Sequence, residues 1–115
     1  MPRPEFVDYV CDLLKPQGHI RVRAMFGGWG FYCDDLFFAI AIADTLYLKA
    51  DAATRTTFLE AGQQPFTYVM RGAEQRMEYY TVPAEALEDS SELSHWARLA
   101  LAAARRKRAG KKPAR

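Results

Sequence analysis

The spacing of apolar and polar positions changes period several times along the 115-residue chain. Phe6, Val7, Val10, Cys11, Leu13 and Leu14 recur at i, i+3, i+4 and i+7, with Asp8, Asp12 and Lys15 between them, as in an amphipathic helix. Pro4 suits the first turn of that helix, where its missing N–H is not needed, and Pro16 is expected to stop it. From Ile20 the period falls to two. Ile20, Val22, Ala24 and Phe26 alternate with Arg21, Arg23 and Met25, which predicts a strand with one buried face. Gly27-Gly28 breaks the pattern, residues 29–33 resume it, and Asp34-Asp35 makes a tight turn. The nearly continuous apolar run over residues 36–42 suits a central strand covered on both faces. Asp44-Thr45 turns again before a short fourth strand over residues 46–49.

Asp51 can accept from the first amides of a helix over residues 52–61, and Gly62 is placed to end it in the left-handed conformation. Pro65 leads into residues 66–70, and Arg71-Gly72-Ala73 turns the chain back into residues 76–82, a second hairpin closed by Pro83. Asp89-Ser90-Ser91-Glu92 has capping-box spacing, so capping accounts for Ser90, Ser91 and Ser94. Leu93, Trp96, Ala97, Ala100, Leu101 and Ala104 follow at helical spacing. This last helix should run into a basic stretch and stop near Ala109, with the remaining residues unstructured. The order α-β-β-β-β-α-β-β-α, with short turns between strands, predicts an α+β fold with a single antiparallel sheet of about six strands and helices on one face. Trp29, Phe31, Phe37, Tyr47, Tyr68, Tyr79 and Tyr80 are too many aromatics for one small core, so some are expected in a dimer interface or a groove.

Composition adds limits. A chain this short is one domain, and half its residues are hydrophobic, which excludes intrinsic disorder. The longest apolar stretch, residues 36–43, is too short to span a membrane, a segment that needs about 20 residues. The start, Met1-Pro2-Arg3-Pro4-Glu5, has no secretory pattern, so a cytoplasmic location with Cys11 and Cys33 as buried thiols is expected. The net charge of +2 conceals an asymmetry. Of 16 cations, seven (Arg105, Arg106, Lys107, Arg108, Lys111, Lys112 and Arg115) fall in residues 105–115 without an acid, leaving nine against 14 acids in residues 1–104, a balance of −5. The division is therefore a domain over 1–104 and a basic tail over 105–115. Seven cations could grip phosphates of DNA or RNA with a steep salt dependence.

No catalytic, cofactor or metal site is expected. His19 and His95 have no partner at ligand spacing, and the cysteines fit no zinc or redox pattern. The glycines of Phe26-Gly27-Gly28-Trp29-Gly30 match no phosphate loop and lie between strands, so a turn or bulge needing positive φ is the expectation. Arg21 and Arg23 share a strand face that could hold an anion or stand in solvent.

The segment Arg23-Ala24-Met25-Phe26-Gly27-Gly28-Trp29-Gly30-Phe31-Tyr32 resembles the N-terminal domain of the TfoX/Sxy family, regulators of bacterial competence. The resemblance extends through Phe38-Ala39, Leu46-Tyr47-Leu48-Lys49, Gly62, Pro65-Phe66-Thr67-Tyr68, Tyr79-Tyr80-Thr81-Val82-Pro83, Leu87-Glu88-Asp89 and Trp96, and so covers residues 5–104. Asp34-Asp35 stands where the family commonly has Asp-Gly. The resemblance implies an α+β homodimer without known catalytic residues. Full-length regulators of the family add a C-terminal helical domain and work with the cyclic-AMP receptor protein at promoters. This chain ends where that domain would begin, so a stand-alone domain with another partner or role is the expectation.

Three functions follow from this reading. The first is a non-enzymatic regulatory or interaction module, a homodimer using exposed sheet aromatics or the helix over 93–104, with a protein partner in transcription regulation. The second is a nucleic-acid-associated protein gripping phosphates through its basic tail. The third is a small enzyme or ligand binder near Arg21, Arg23 and the glycine turn.

Overall fold

In a computed structural model describing residues 3–25 and 27–110, the first apolar stripe forms helix α1 (Glu5–Leu14). Val7, Val10 and Leu14 are buried on it, and Phe6, Cys11 and Leu13 pack at their margin. Pro4 stands one residue ahead of the helix rather than in its first turn, and its carbonyl accepts from the Val7 amide at 3.0 Å. The α-helix ends ahead of Pro16, as expected, and the chain coils on for one tighter turn. Pro16 sits early in this 3-10 turn (Lys15–Gln17), where an amide has no partner to lose.

Strands β1 (Ile20–Met25), β2 (Gly28–Cys33), β3 (Leu36–Ile42), β4 (Thr45–Lys49), β5 (Pro65–Met70) and β6 (Ala73–Thr81) form one antiparallel sheet in the order β1-β2-β3-β4-β6-β5. The hairpin turns place Asp34 and Asp35 (φ 48° and 71°), Ala43 and Asp44 (49° and 63°), and Arg71 and Gly72 (56° and 80°) in the left-handed region. Two-residue turns of that hand match the twist of the strands they join. The turn before β4 is thus Ala43-Asp44, one residue earlier than the sequence suggests, because Thr45 already pairs with Ile42. Likewise β6 begins at Ala73, not Arg76, since a two-residue turn leaves Ala73 opposite Met70.

β3 is a central strand covered on both faces, as its apolar run requires. Opposite it, Phe31 faces Ala39 while Tyr32 faces Phe37, so Phe38 is an extra residue on β3. This bulge lets Leu36 and Phe38 on one side, and Ala39 and Ala41 on the other, reach the same core. β1 departs from expectation: Ala24 is exposed and Met25 half-buried. As an edge strand it has a neighbour on one side only, and the Met25 thioether folds over Gly30, whose missing Cβ would lie 2.7 Å from it. Phe26, expected on the buried face, lies outside the described residues.

The second helix, α2 (Arg55–Glu60), is shorter than the 52–61 span expected. Asp51 caps the turn ahead of it instead: its Oδ1 accepts from the Ala53 amide at 3.1 Å, and its own amide donates to Thr54 Oγ1 at 3.0 Å. Gly62 (φ 78°) ends α2 as expected, with its amide on Leu59 O and the Gln63 amide on Phe58 O, a Schellman pair. A 3-10 turn (Ala84–Leu87), which no periodicity in the sequence marks, precedes α3 (Ser90–Gly110). Asp89 Oδ1 accepts from the Ser91 amide at 3.1 Å. Ser90 and Ser94 do not cap: Ser90 Oγ donates to Leu13 O at 3.0 Å, and Ser94 Oγ accepts from Gln17 Nε2 at 2.6 Å. They tie α3 to the end of α1. Every residue of the expected stripe, Leu93, Trp96, Ala97, Ala100, Leu101 and Ala104, is buried in the core shared with the sheet. That stripe is therefore occupied within the chain.

Candidate interaction surface

Strand alternation sends every second side chain to the face of the sheet away from the main core. There Arg21 lies over the Tyr32 ring at 5.1 Å from its centroid, Tyr32 meets Phe37 at 5.1 Å, and Phe37 meets Tyr79 at 5.9 Å. Lys49 and Tyr79 are cross-strand partners, which brings Lys49 Nζ to 3.3 Å from the Tyr79 hydroxyl and 4.8 Å from the ring centroid. Lys49 is only 7 % exposed, so its ammonium sits on a ring face and a hydroxyl rather than in bulk water. Burial, with the nearby Tyr32, pushes the Tyr79 phenol well above its ordinary range, so it stays protonated.

The same face continues onto the outermost strand. Tyr47 meets Phe66 edge-on at 5.1 Å, and Phe66 stacks on Tyr68 at 6.2 Å. Phe66, Tyr68, Met70 and Met77 line a groove of about 450 Å³. Of the seven aromatics singled out in the sequence, Phe31 and Tyr80 are in the core and Trp29 packs at its edge. Phe37, Tyr47, Tyr68 and Tyr79 lie on this second face, joined by Tyr32 and Phe66, which sequence reasoning did not single out. Their signal was parity: Tyr32 alternates with the buried Phe31, and Phe66 with the exposed Thr67.

Of the basic residues, Arg105, Arg106, Lys107 and Arg108 are exposed on α3, while Lys111, Lys112 and Arg115 lie outside the described residues. Arg106 grips Asp51 with two hydrogen bonds, 2.6 and 3.0 Å, and holds that carboxyl below its ordinary pKa. Arg108 donates to the Asp35 carbonyl at 2.8 Å. Lys107 and Arg108 share with Lys49, Phe37 and Tyr79 a groove of about 430 Å³ whose described lining holds no carboxylate. Arg21 and Arg23 stand two residues apart on β1, where Arg21 pairs with Asp35 at 3.0 Å and Arg23 is exposed.

The glycine segment divides by cause. Gly27 turns at φ 74°, as expected. Gly28 and Gly30 have ordinary extended backbones and owe their identity to space, since a Cβ on Gly28 would meet the Ala41 carbonyl oxygen at 2.4 Å. Burial raises the pKa of both Cys11 and Cys33, which makes them poor sources of thiolate. Among the described residues, no helix is long and apolar enough to cross a membrane, and no three of His, Cys, Asp and Glu group as metal ligands.

The remaining motif positions take distinct places: Tyr80 in the core, Tyr47 and Tyr79 on the second face, Pro83 heading the 3-10 turn, Phe26 outside the described residues. The family model of the TfoX N-terminal domain matches residues 12–104. The chain belongs to that family. No curated protein matches it. The boundary of the TfoX N-terminal domain at residue 104 falls at the last buried residue described on α3, just before the run of cations from Arg105.

Proposed function

We propose that this TfoX N-terminal domain is a non-enzymatic module of gene regulation, cytoplasmic and acting as a homodimer through the aromatic face of its sheet. The observation that carries the reading is the series Tyr47, Phe66, Tyr68 with Met70, an apolar surface that no element among the described residues covers. Such a patch in a small soluble domain marks an interaction site. Family membership supports the regulatory setting, with competence as the process the resemblance names and a second protein as its partner in transcription. Light scattering at tens of micromolar should give a mass near twice the 13.1 kDa of the chain. A single-chain mass at that concentration would refute the homodimer.

A second reading, phosphate binding by the basic end, is favoured by the groove that gathers Lys49, Lys107 and Arg108. Binding of a labelled duplex across a salt series should weaken in the double variant Lys107→Ala/Arg108→Ala, with the log–log salt slope shallower by about two. An unchanged slope would remove these residues from any nucleic-acid contact.

A further inference from the structure

The outermost strand β5 pairs with β6 on one side, and on the other no strand among the described residues pairs with it. It carries no charged residue, and three large apolar side chains stand consecutively on it: Tyr68 is 37 % exposed, Val69 73 % and Met70 52 %. An apolar edge with open backbone groups is what soluble proteins avoid unless something pairs with it.

The register tells which groups are open. Arg71-Gly72 is a two-residue turn, so Met70 and Ala73 exchange hydrogen bonds across it, and so do Tyr68 with Gln75 and Phe66 with Met77. The amides and carbonyls of Thr67 and Val69 then point outward. A second copy of this strand, antiparallel about a two-fold axis at Tyr68, sets each Thr67 opposite the other copy's Val69 and satisfies all four groups of each chain's pair. Centring on Thr67 would face Val69 with Pro65, which lacks an amide, and centring on Val69 would face Thr67 with the turn residue Arg71. Only the Tyr68 register uses every outward donor and acceptor.

The side chains agree with that register. On the aromatic face it places Tyr68 against Tyr68 in the close, non-hydrogen-bonded position, flanked by two Phe66–Met70 pairs. Thioethers pack well against rings, and no like charges meet. We infer that β5 pairs with β5 of a second copy in this register, joining two six-stranded sheets into one. The inference rests on the homodimer reading above and deepens it, placing the contact at the β5 edge of the aromatic face, where Phe66, Tyr68 and Met70 of the two copies meet.

Val69→Pro tests it. The Val69 amide makes no bond within the chain's own hairpin, so proline there removes an outward donor and leaves the β5–β6 ladder intact. The expected result is a twofold fall in mass by light scattering with an unchanged circular dichroism spectrum, whereas Val69→Ala, which keeps the amide, remains dimeric. If the wild-type chain is dimeric and Val69→Pro is too, the edge pairing is wrong and the homodimer stands on another surface. If the wild type is monomeric, both fall. Cross-linking decides the case where the proline variant does not fold. Cα atoms about 4.5 Å apart at a non-hydrogen-bonded pair suit a disulfide, so Tyr68→Cys should oxidise to a covalent dimer and Val69→Cys should not. Cross-links at both positions, or at neither, overturn the register.

Discussion

Replacing Phe58 by alanine should remove about 3–5 kcal/mol of stability, read as a lower urea midpoint with an unchanged slope. Phe58 is fully buried, stacked on Tyr80 at 5.6 Å and against Trp96 at 5.1 Å, and is the buried residue of α2. A helix of six residues has little stability of its own, since isolated helices shorter than about 12–15 residues are marginal in water. What holds α2 is this ring, wedged between a strand of the sheet and the long helix. Truncation leaves a cavity bounded by two large aromatics that cannot collapse into it without moving β6 or α3. A loss below about 1 kcal/mol would show that Tyr80 and Trp96 close the gap, and that α2 is held by its surface contacts instead.

The second large effect is expected at Gly28. An added Cβ would lie 2.4 Å from the Ala41 carbonyl oxygen and 2.8 Å from the end of the Ile42 side chain. Ile42 can rotate, but Ala41 belongs to the backbone of β3, held between β2 and β4. Gly28→Ala must therefore push β2 from β3, at a cost of about 1–3 kcal/mol or more. Gly30→Ala is the informative comparison. Its nearest atoms are the Met25 thioether and the edge of the Phe37 ring, at 2.7–2.9 Å, which are ends of side chains that can give way. Thermal unfolding should place Gly28→Ala well below Gly30→Ala. Equal shifts would mean the Ala41 contact is not what excludes a side chain there.

Residues whose environment is local were legible in the sequence. The stripes of α1 and α3 repeat every three to four residues and are buried where that period puts them. The left-handed ending at Gly62 and the central, doubly covered β3 also follow from near neighbours in the chain. Positions decided by a partner distant in sequence were not legible. Whether Ala24 is buried depends on β1 lying at the sheet edge. Whether Gly28 is a turn glycine or a packing glycine depends on Ala41, across a strand pairing no local pattern reveals. Ser90 and Ser94 look like caps in sequence because their partners, Leu13 and Gln17, lie 77 residues away. The second face of the sheet was legible as a surplus of aromatics, but its ordering into a series from Arg21 to Tyr79, and another from Tyr47 to Tyr68, required the bulge at Phe38 and the β4–β6 crossover.

The two contacts that close the end of α3, Arg106 on Asp51 and Arg108 on the Asp35 carbonyl, moor the helix to two separate loops beyond the boundary of the family match. Held on both flanks, residues 105–110 continue the helix about 9 Å past Ala104 along a heading set by the body of the domain. The positive charge of Arg105, Arg106, Lys107 and Arg108 is thus carried as a mounted prow. Any partner that reads it must accept the angle at which the sheet presents it.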